Sequence, residues 1–153
     1  MTKILLILHV LAAIVAVGPV TVAASMFPPA ARRVPAVDGA VAAGTVRLLH
    51  RICRVYAAIG VSVPVLGLAT ALAMGVLGSG WLITSVALTA AAAGLLIAFV
   101  LPRQEEVLDQ LSTGNTVERS ATVQLAMVTG IFNLLWATVT ILMIVRPGST
   151  TGA

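Results

Sequence analysis

The chain has 153 residues, of which 59% are hydrophobic and only 9% are charged, with a mean hydropathy of +1.10. A soluble domain has about 25% charged residues, so this chain cannot cover a soluble globule with a water-facing surface. Its net charge of +4 comes from dispersed basic residues, and aromatic residues make up 4%, which argues against nucleic acid as a partner. The single cysteine, Cys53, excludes an internal disulfide bond. The composition predicts an integral membrane protein.

The first apolar segment resembles both a cleavable signal peptide and a membrane-spanning helix. Ala23-Ala24-Ser25 has the small residues of a cleavage site. The apolar run nevertheless continues to Phe27, about 24 residues in all, which is enough to cross a hydrocarbon core of about 30 Å. Arg32 and Arg33 follow at once, and positive charges there fix the end of a spanning helix and oppose export. We therefore predict a transmembrane helix over residues 4–27.

Three further apolar runs have the length of a membrane span and contain no ionisable residue. They predict helices over residues 55–77, 81–101 and 121–145. Gly78-Ser79-Gly80 is long enough only for a tight turn, so the second and third helices are expected to form a hairpin. The chain is thus predicted to be a single all-α domain, residues 1–153, folded as a polytopic four-helix bundle in a lipid bilayer.

The distribution of basic residues predicts the orientation of this bundle. With four helices, both termini share one side of the membrane, and loop regions 28–54 and 102–120 share the other. These loop regions hold seven of the nine basic residues, and the terminal side holds Lys3 and Arg146. Because loops rich in Lys and Arg stay in the cytoplasm, we predict an N-out, C-out protein of the bacterial inner membrane.

Small residues repeat at every fourth position on two of the predicted helices. Such stripes let helix backbones approach closely, which matters in lipid because burial from water no longer drives association. Two stripes on helices joined by a three-residue turn predict a tightly packed hairpin. The packing residues would be Gly67, Ala71 and Gly75 on the second helix and Ala90, Gly94 and Ala98 on the third.

A histidine, His9, lies in the apolar part of the first helix, about 9 Å beyond Lys3 at 1.5 Å per residue. An imidazole in hydrocarbon needs a partner, so we expect it to face the interior of the bundle. One interpretation is a structural contact in which the ring donates to a hydroxyl of another helix. The candidate hydroxyls at similar depth are those of Thr70, Ser85 and Thr138.

The other interpretation makes His9 a haem ligand, a metal ligand or a proton relay. Met74 would then be the candidate second axial ligand, although methionine is also an ordinary packing residue. Asn133, near the centre of the fourth helix, is interpreted as a further polar contact between helices. A transporter would be expected to show paired ionisable residues or internal repeats, and neither is visible in this sequence.

The segment "LHVLAAIVAVG" places a glycine nine residues after His9. In a four-helix chain of this length, it resembles a bacterial integral-membrane family catalogued as domain of unknown function twenty-two sixty-nine. The motif is also similar to that of the copper-resistance membrane domain and of membrane-bound protoporphyrinogen oxidases. These resemblances imply that His9 binds copper or haem b. The oxidases also use an intramembrane lysine, which this sequence lacks.

From these patterns we predict a small, non-enzymatic membrane protein without a cofactor. It would act as an accessory subunit of a larger assembly, with a membrane-protein partner or a second copy of itself. The alternatives are a membrane redox protein that binds haem or a metal through His9, and a small transporter.

Overall fold

The computed structural model describes residues 1–35 and 39–148. It is all helical there, with four helices long and apolar enough to cross a membrane, as the sequence predicts. The helices are α1 (Thr2–Arg32), α2 (Ala40–Met74), α3 (Gly80–Ser112) and α4 (Arg119–Val145). The connection between α1 and α2 and the one between α3 and α4 lie at one end of the bundle, which we call the loop end. The opposite, terminal end holds Met1 and the turn between α2 and α3.

Two of the helices extend well beyond their predicted bounds at the loop end. Helix α2 begins at Ala40, whereas the apolar run placed its start at residue 55, and α3 continues to Ser112 instead of ending at residue 101. The predicted bounds followed hydropathy, which detects only the part of a helix that lies in hydrocarbon. An α-helix satisfies its own backbone hydrogen bonds, so it can continue past the hydrocarbon as an amphipathic helix.

Helix α3 passes through a proline without breaking. Pro102 has no N–H to donate to the carbonyl four residues earlier, and a π-helical turn, Leu96–Val100, directly precedes it. Such a turn shifts the hydrogen-bond pattern by one residue and absorbs the missing bond. The apolar segment Gly80–Leu95 is thereby joined to the polar segment Leu101–Ser112 as one continuous helix.

The predicted tight hairpin between the second and third helices is wrong. Helix α1 packs against α2 along its length and also against α4, while α3 packs mainly against α4. Helices α2 and α3 meet chiefly at the loop end, where Ala40–Gly60 contacts Leu101–Ser112. The turn between them therefore connects two helices that belong to opposite sides of the bundle.

The small-residue stripe on α2 serves other purposes than the predicted one. Gly67 lies against His9 of α1, where an added Cβ would lie 2.8 Å from the imidazole Cε1. Gly75 follows the last residue of α2 in the left-handed conformation, with φ of 68°, and ends the helix. Only Ala71 packs toward α3, in a small cluster with Trp81 and Leu82 at the terminal end.

The stripe on α3 faces away from the protein. Ala90, Gly94 and Ala98 are all exposed, and a Cβ added to Gly94 would meet nothing within 4 Å. The small residue that α3 buries is Ala92, with an exposed fraction of 0%. Close packing of this helix therefore occurs on a different face from the one that the stripe indicates.

The largest core cluster lies toward the loop end and draws on all four helices. Phe27 of α1, Val46 of α2, Val100 of α3 and Leu125 of α4 meet there and are almost fully buried. Toward the terminal end, no residue of α1 before Ala16 is buried. The bundle is thus well packed at one end and open at the other.

Candidate functional site

His9 contacts the backbone of α2. Its Nδ1 lies 2.9 Å from the carbonyl oxygen of Val63, and the ring covers Gly67 one turn further along the same helix. Because a carbonyl oxygen only accepts, Nδ1 donates in this bond. The absence of a side chain at Gly67 makes room for the imidazole. This contact fixes the N-terminal half of α1 to α2.

The predicted hydroxyl partners of His9 are therefore wrong. Each of the three hydroxyls instead donates to a carbonyl of its own helix, at 2.7 to 2.8 Å. Ser and Thr side chains satisfy themselves in this way when no better acceptor is within reach. The three hydroxyls are those of Thr70, Ser85 and Thr138.

Met74, the predicted second ligand, lies seven residues beyond Gly67 on α2, about 10 Å further along the helix at 1.5 Å per residue.

The His9 contact has one feature of a ligand site. Histidines that bind metals usually donate their other ring N–H to a carbonyl or carboxylate, which fixes the tautomer and the ring orientation. His9 has this arrangement through Val63, and no described residue bonds to its Nε2. If a haem or metal ion were bound, His9 would supply one ligand to it, and no group of three or more His, Cys, Asp or Glu side chains able to hold a metal ion occurs among the described residues.

Asn133 joins α4 to α1. Its Nδ2 donates to the hydroxyl oxygen of Ser25 at 3.1 Å, and this bond lies at an exposed seam between the two helices. Ser25 itself is exposed and Asn133 is partly buried. The two residues place an amide and a hydroxyl where apolar helices would otherwise face lipid. We call this pair the α1–α4 polar seam.

Polar atoms near the α1–α4 polar seam outnumber the hydrogen bonds formed there. Thr129 Oγ1, Asn133 Oδ1 and Trp136 Nε1 are buried and have no hydrogen-bond partner among the described residues. They occur at positions i, i+4 and i+7 of α4 and therefore lie along one face of that helix. An unpaired buried polar atom typically costs about 1–3 kcal/mol. This face of α4 is more polar than packing within one chain requires.

A third polar group, the loop-end cluster, joins α2 to α3. Gln104 is completely buried, and its Oε1 accepts a 2.9 Å hydrogen bond from Nδ1 of His50. Its Nε2 donates to the sulfur of Cys53 at 3.6 Å. One glutamine side chain thus satisfies two side chains that lie one turn apart on α2. These three residues, His50, Cys53 and Gln104, form the loop-end cluster.

The outer side of the loop-end cluster is charged. Glu105 lies 3.6 Å from Nε2 of His50 and 4.0 Å from a guanidinium nitrogen of Arg54. Nε2 of His50 therefore faces the Glu105 carboxylate, which is more than half exposed, while Nδ1 of the same ring faces Gln104.

Sequence reasoning missed the loop-end cluster, although a signal for it exists. The buried residues of α2 near its start are Val46, Leu49, His50 and Cys53, at positions i, i+3, i+4 and i+7. This is the spacing of a buried helix face. The predicted bounds nevertheless placed this segment in loop region 28–54, because exposed arginines are interleaved with the buried residues. The partner Gln104 likewise lies in the predicted loop region 102–120.

Comparison with known proteins identifies the family. A family model described as "Predicted integral membrane protein (DUF2269)" matches residues 3–147, which is almost the whole chain. No curated protein and no solved structure matches the chain. The match includes His9 and all four transmembrane helices. The protein is therefore a multi-pass integral membrane protein and belongs to the DUF2269 family.

Proposed function

We propose that this protein is a non-enzymatic accessory subunit that packs against a transmembrane helix of a larger membrane assembly. The observation that carries this proposal is the α1–α4 polar seam, where Asn133 bonds to an exposed Ser25. The Ser25 hydroxyl is exposed and the Asn133 amide only partly buried, so both are poorly solvated in hydrocarbon and a further helix laid along the seam would shield them.

The residues around the seam suit a close helix contact. Gly130 and Ala137 lie one turn before and after Asn133 on α4, and Ala137 is exposed. On α1, Thr21 lies one turn before Ser25. All of these side chains are small, which lets another backbone approach, as at typical helix interfaces in membranes.

The chemistry of the seam indicates what the partner helix carries. The Ser25 oxygen accepts from Asn133, so its hydroxyl proton is available to a second acceptor. The complementary helix would present a small residue opposite Gly130 and a hydroxyl or carbonyl acceptor opposite Ser25. We expect this helix to belong to a different protein, because an accessory role requires a heteromeric contact.

Site-specific photocrosslinking in cells tests this proposal. A photoreactive residue at Ala137 lies on the seam, and one at Ile97 provides a control on an exposed face of α3. We expect one recurring protein adduct from position 137 and none from position 97. Asn133→Leu should abolish the adduct, since the leucine removes the polar pair and adds bulk.

Three outcomes would contradict the accessory role. An adduct with twice the mass of this chain would show that the seam joins two copies of the protein. Adducts with lipid alone at both positions, or an adduct that survives Asn133→Leu, would show that the seam does not bind a partner helix.

A second function, haem or copper binding through His9, is favoured by one observation. The ring donates from Nδ1 to the carbonyl of Val63 and has no described partner at Nε2, which is how a ligating imidazole is oriented. In this case His9 would supply one axial nitrogen. A bound haem would bring redox chemistry, and the chain itself would hold the imidazole at a fixed angle over Gly67.

The absorption spectrum of the purified protein separates the two functions. Protein from cells supplied with a haem precursor should show a Soret band if His9 is an axial ligand, and copper should be found at one equivalent if copper is bound. His9→Gln should remove either signal, while the loop-end variant His50→Gln should keep it. Colourless, copper-free protein would remove this second function.

We also propose that the loop end faces the cytoplasm of a bacterial inner membrane, with both termini outside. This rests on the seven basic residues of the loop regions against two on the terminal side. In a Cys53→Ser background, a membrane-impermeant thiol reagent should leave a cysteine at Gln110 or Asp38 unreacted and label one at Ser149. Asp38 and Ser149 lie outside the described residues. Labelling of Gln110→Cys in intact cells would reverse the orientation.

A further inference from the structure

The loop end contains a cavity of about 380 Å³ between the end of α1 and the start of α4. This volume is within the range of about 300–1,000 Å³ that is common for small-molecule sites. Its walls are partly apolar, from Leu111 and Val117, and partly polar, from Asn115 and Thr116. Arg32 lies seven residues beyond Ser25 on α1, about 10 Å along the helix axis, so the cavity is separate from the α1–α4 polar seam.

Two arginines, one from the first helix and one from the last, line this cavity. Arg32 is the last residue of α1 and Arg119 is the first residue of α4. Arg32 uses its Nε in a 3.4 Å bond to the carbonyl of Pro28, so the two terminal nitrogens of its guanidinium remain available. Neither arginine forms an ion pair with a described residue, and the nearby Glu118 instead accepts a hydrogen bond from Ser120.

We propose that this cavity binds a phosphate group, held between Arg32 and Arg119. Two guanidinium groups at one concave site match the charge and the planar hydrogen-bonding geometry of phosphate. The mixed walls suit a ligand with an apolar part beside the phosphate. The phosphate can come from the headgroup of an anionic phospholipid or from a soluble phosphate compound, and both share this chemistry.

Lipid retention in native mass spectrometry tests the site with the full chain in an uncharged detergent. The probes are phosphatidylglycerol, phosphatidylcholine and inorganic phosphate, at about 0.15 M salt so that long-range attraction is screened. We expect one phosphatidylglycerol to be retained in preference to phosphatidylcholine. The double variant Arg32→Gln/Arg119→Gln should weaken that binding about tenfold or more, since hydrogen bonds to charged groups are lost.

The matched control is the double variant Arg47→Gln/Arg51→Gln. These arginines are also exposed, lie near the loop end on α2 and form no ion pair with a described residue, but they do not line the cavity. The net charge of the two double variants is therefore equal. We expect the control to change the affinity by less than about twofold.

The outcomes decide both the site and the source of the phosphate. Equal losses in the two double variants would show general charge attraction and overturn the proposal, as would unchanged binding in Arg32→Gln/Arg119→Gln. Displacement of the lipid by millimolar inorganic phosphate would support the site and favour a soluble ligand, while retention of the lipid would favour the headgroup. If the glutamine variant fails to fold, Arg32→Lys/Arg119→Lys keeps the charge, and undiminished binding in it would overturn the guanidinium-specific site.

Discussion

At the loop end, all four helices contribute to one continuous apolar core, whereas at the terminal end the described residues form a small cluster of Ala71, Trp81 and Leu82. In water, the open terminal end would expose a large apolar surface at a cost in free energy. In a bilayer the same surface contacts lipid tails, which are as apolar as the side chains, so this cost does not arise. Packing therefore stabilises the loop end, whereas the terminal end depends on single polar contacts such as that of His9 with Val63.

The largest effect should come from removing a ring from the loop-end core. Phe27 is fully buried and Phe99 is 53% exposed, so the pair offers the same truncation in two environments. We expect Phe27→Ala to lower the free energy of unfolding by about 3 kcal/mol through lost packing and the cavity left behind. Phe99→Ala should have little effect. Reversible unfolding in mixed micelles measures both free energies. Equal losses from the two variants would contradict a packed loop-end core around Phe27.

A smaller loss is expected from Gln104→Leu in the loop-end cluster. Leucine fits the space but leaves Nδ1 of His50 without an acceptor, which should cost about 2 kcal/mol. The double variant Gln104→Leu/His50→Leu removes both partners and should recover much of that loss. Gln124, which is exposed on α4, provides the control for Gln→Leu. A double variant no more stable than Gln104→Leu would show that the bond to His50 contributes little.

The terminal end can be tested at the contact between Gly67 and His9. A methyl group at Gly67 would lie 2.8 Å from the imidazole Cε1, so Gly67→Ala should displace the ring and cost about 1–2 kcal/mol. His9→Ala in the same chain should remove the clash. Gly60→Ala is the control on the same helix, because its nearest neighbour, Ala16, would be 3.9 Å away. If the double variant loses as much free energy of unfolding as Gly67→Ala and His9→Ala lose together, the two residues are not in contact.

The sequence predicts the four transmembrane helices well, because apolar runs of span length have few alternatives in a chain with so little charge. It does not predict where the helices end at the loop end. There Arg47, Arg51 and Arg54 face solvent on the same helix whose other face buries His50 and Cys53. Hydropathy averages the two faces, so bounds taken from hydropathy leave this segment in a loop although its residues recur at helical spacing.

The candidate sites were only partly accessible from the sequence. That His9 needs a partner follows from its position in an apolar run, but its partner is a backbone carbonyl, and no side-chain pattern can identify one. Ser25 was considered only as part of a cleavage site, although it bonds to Asn133 108 positions away. Contacts of this kind depend on which helices are neighbours, and the prediction paired the wrong two.

The smallest effect tests why the stripe of small residues on α3 was misleading. Small residues are tolerated at helix contacts and at lipid-facing positions alike, so spacing alone cannot tell the two apart. Gly94 is exposed, and a Cβ added there would meet no other part of the described structure within 4 Å, whereas Ala92, two residues earlier, is fully buried. We expect Gly94→Leu to change the free energy of unfolding by less than about 0.5 kcal/mol. Ala92→Leu should cost about 1–3 kcal/mol by overpacking. A larger loss from Gly94→Leu than from Ala92→Leu would support the predicted packing of the small-residue stripe against α2.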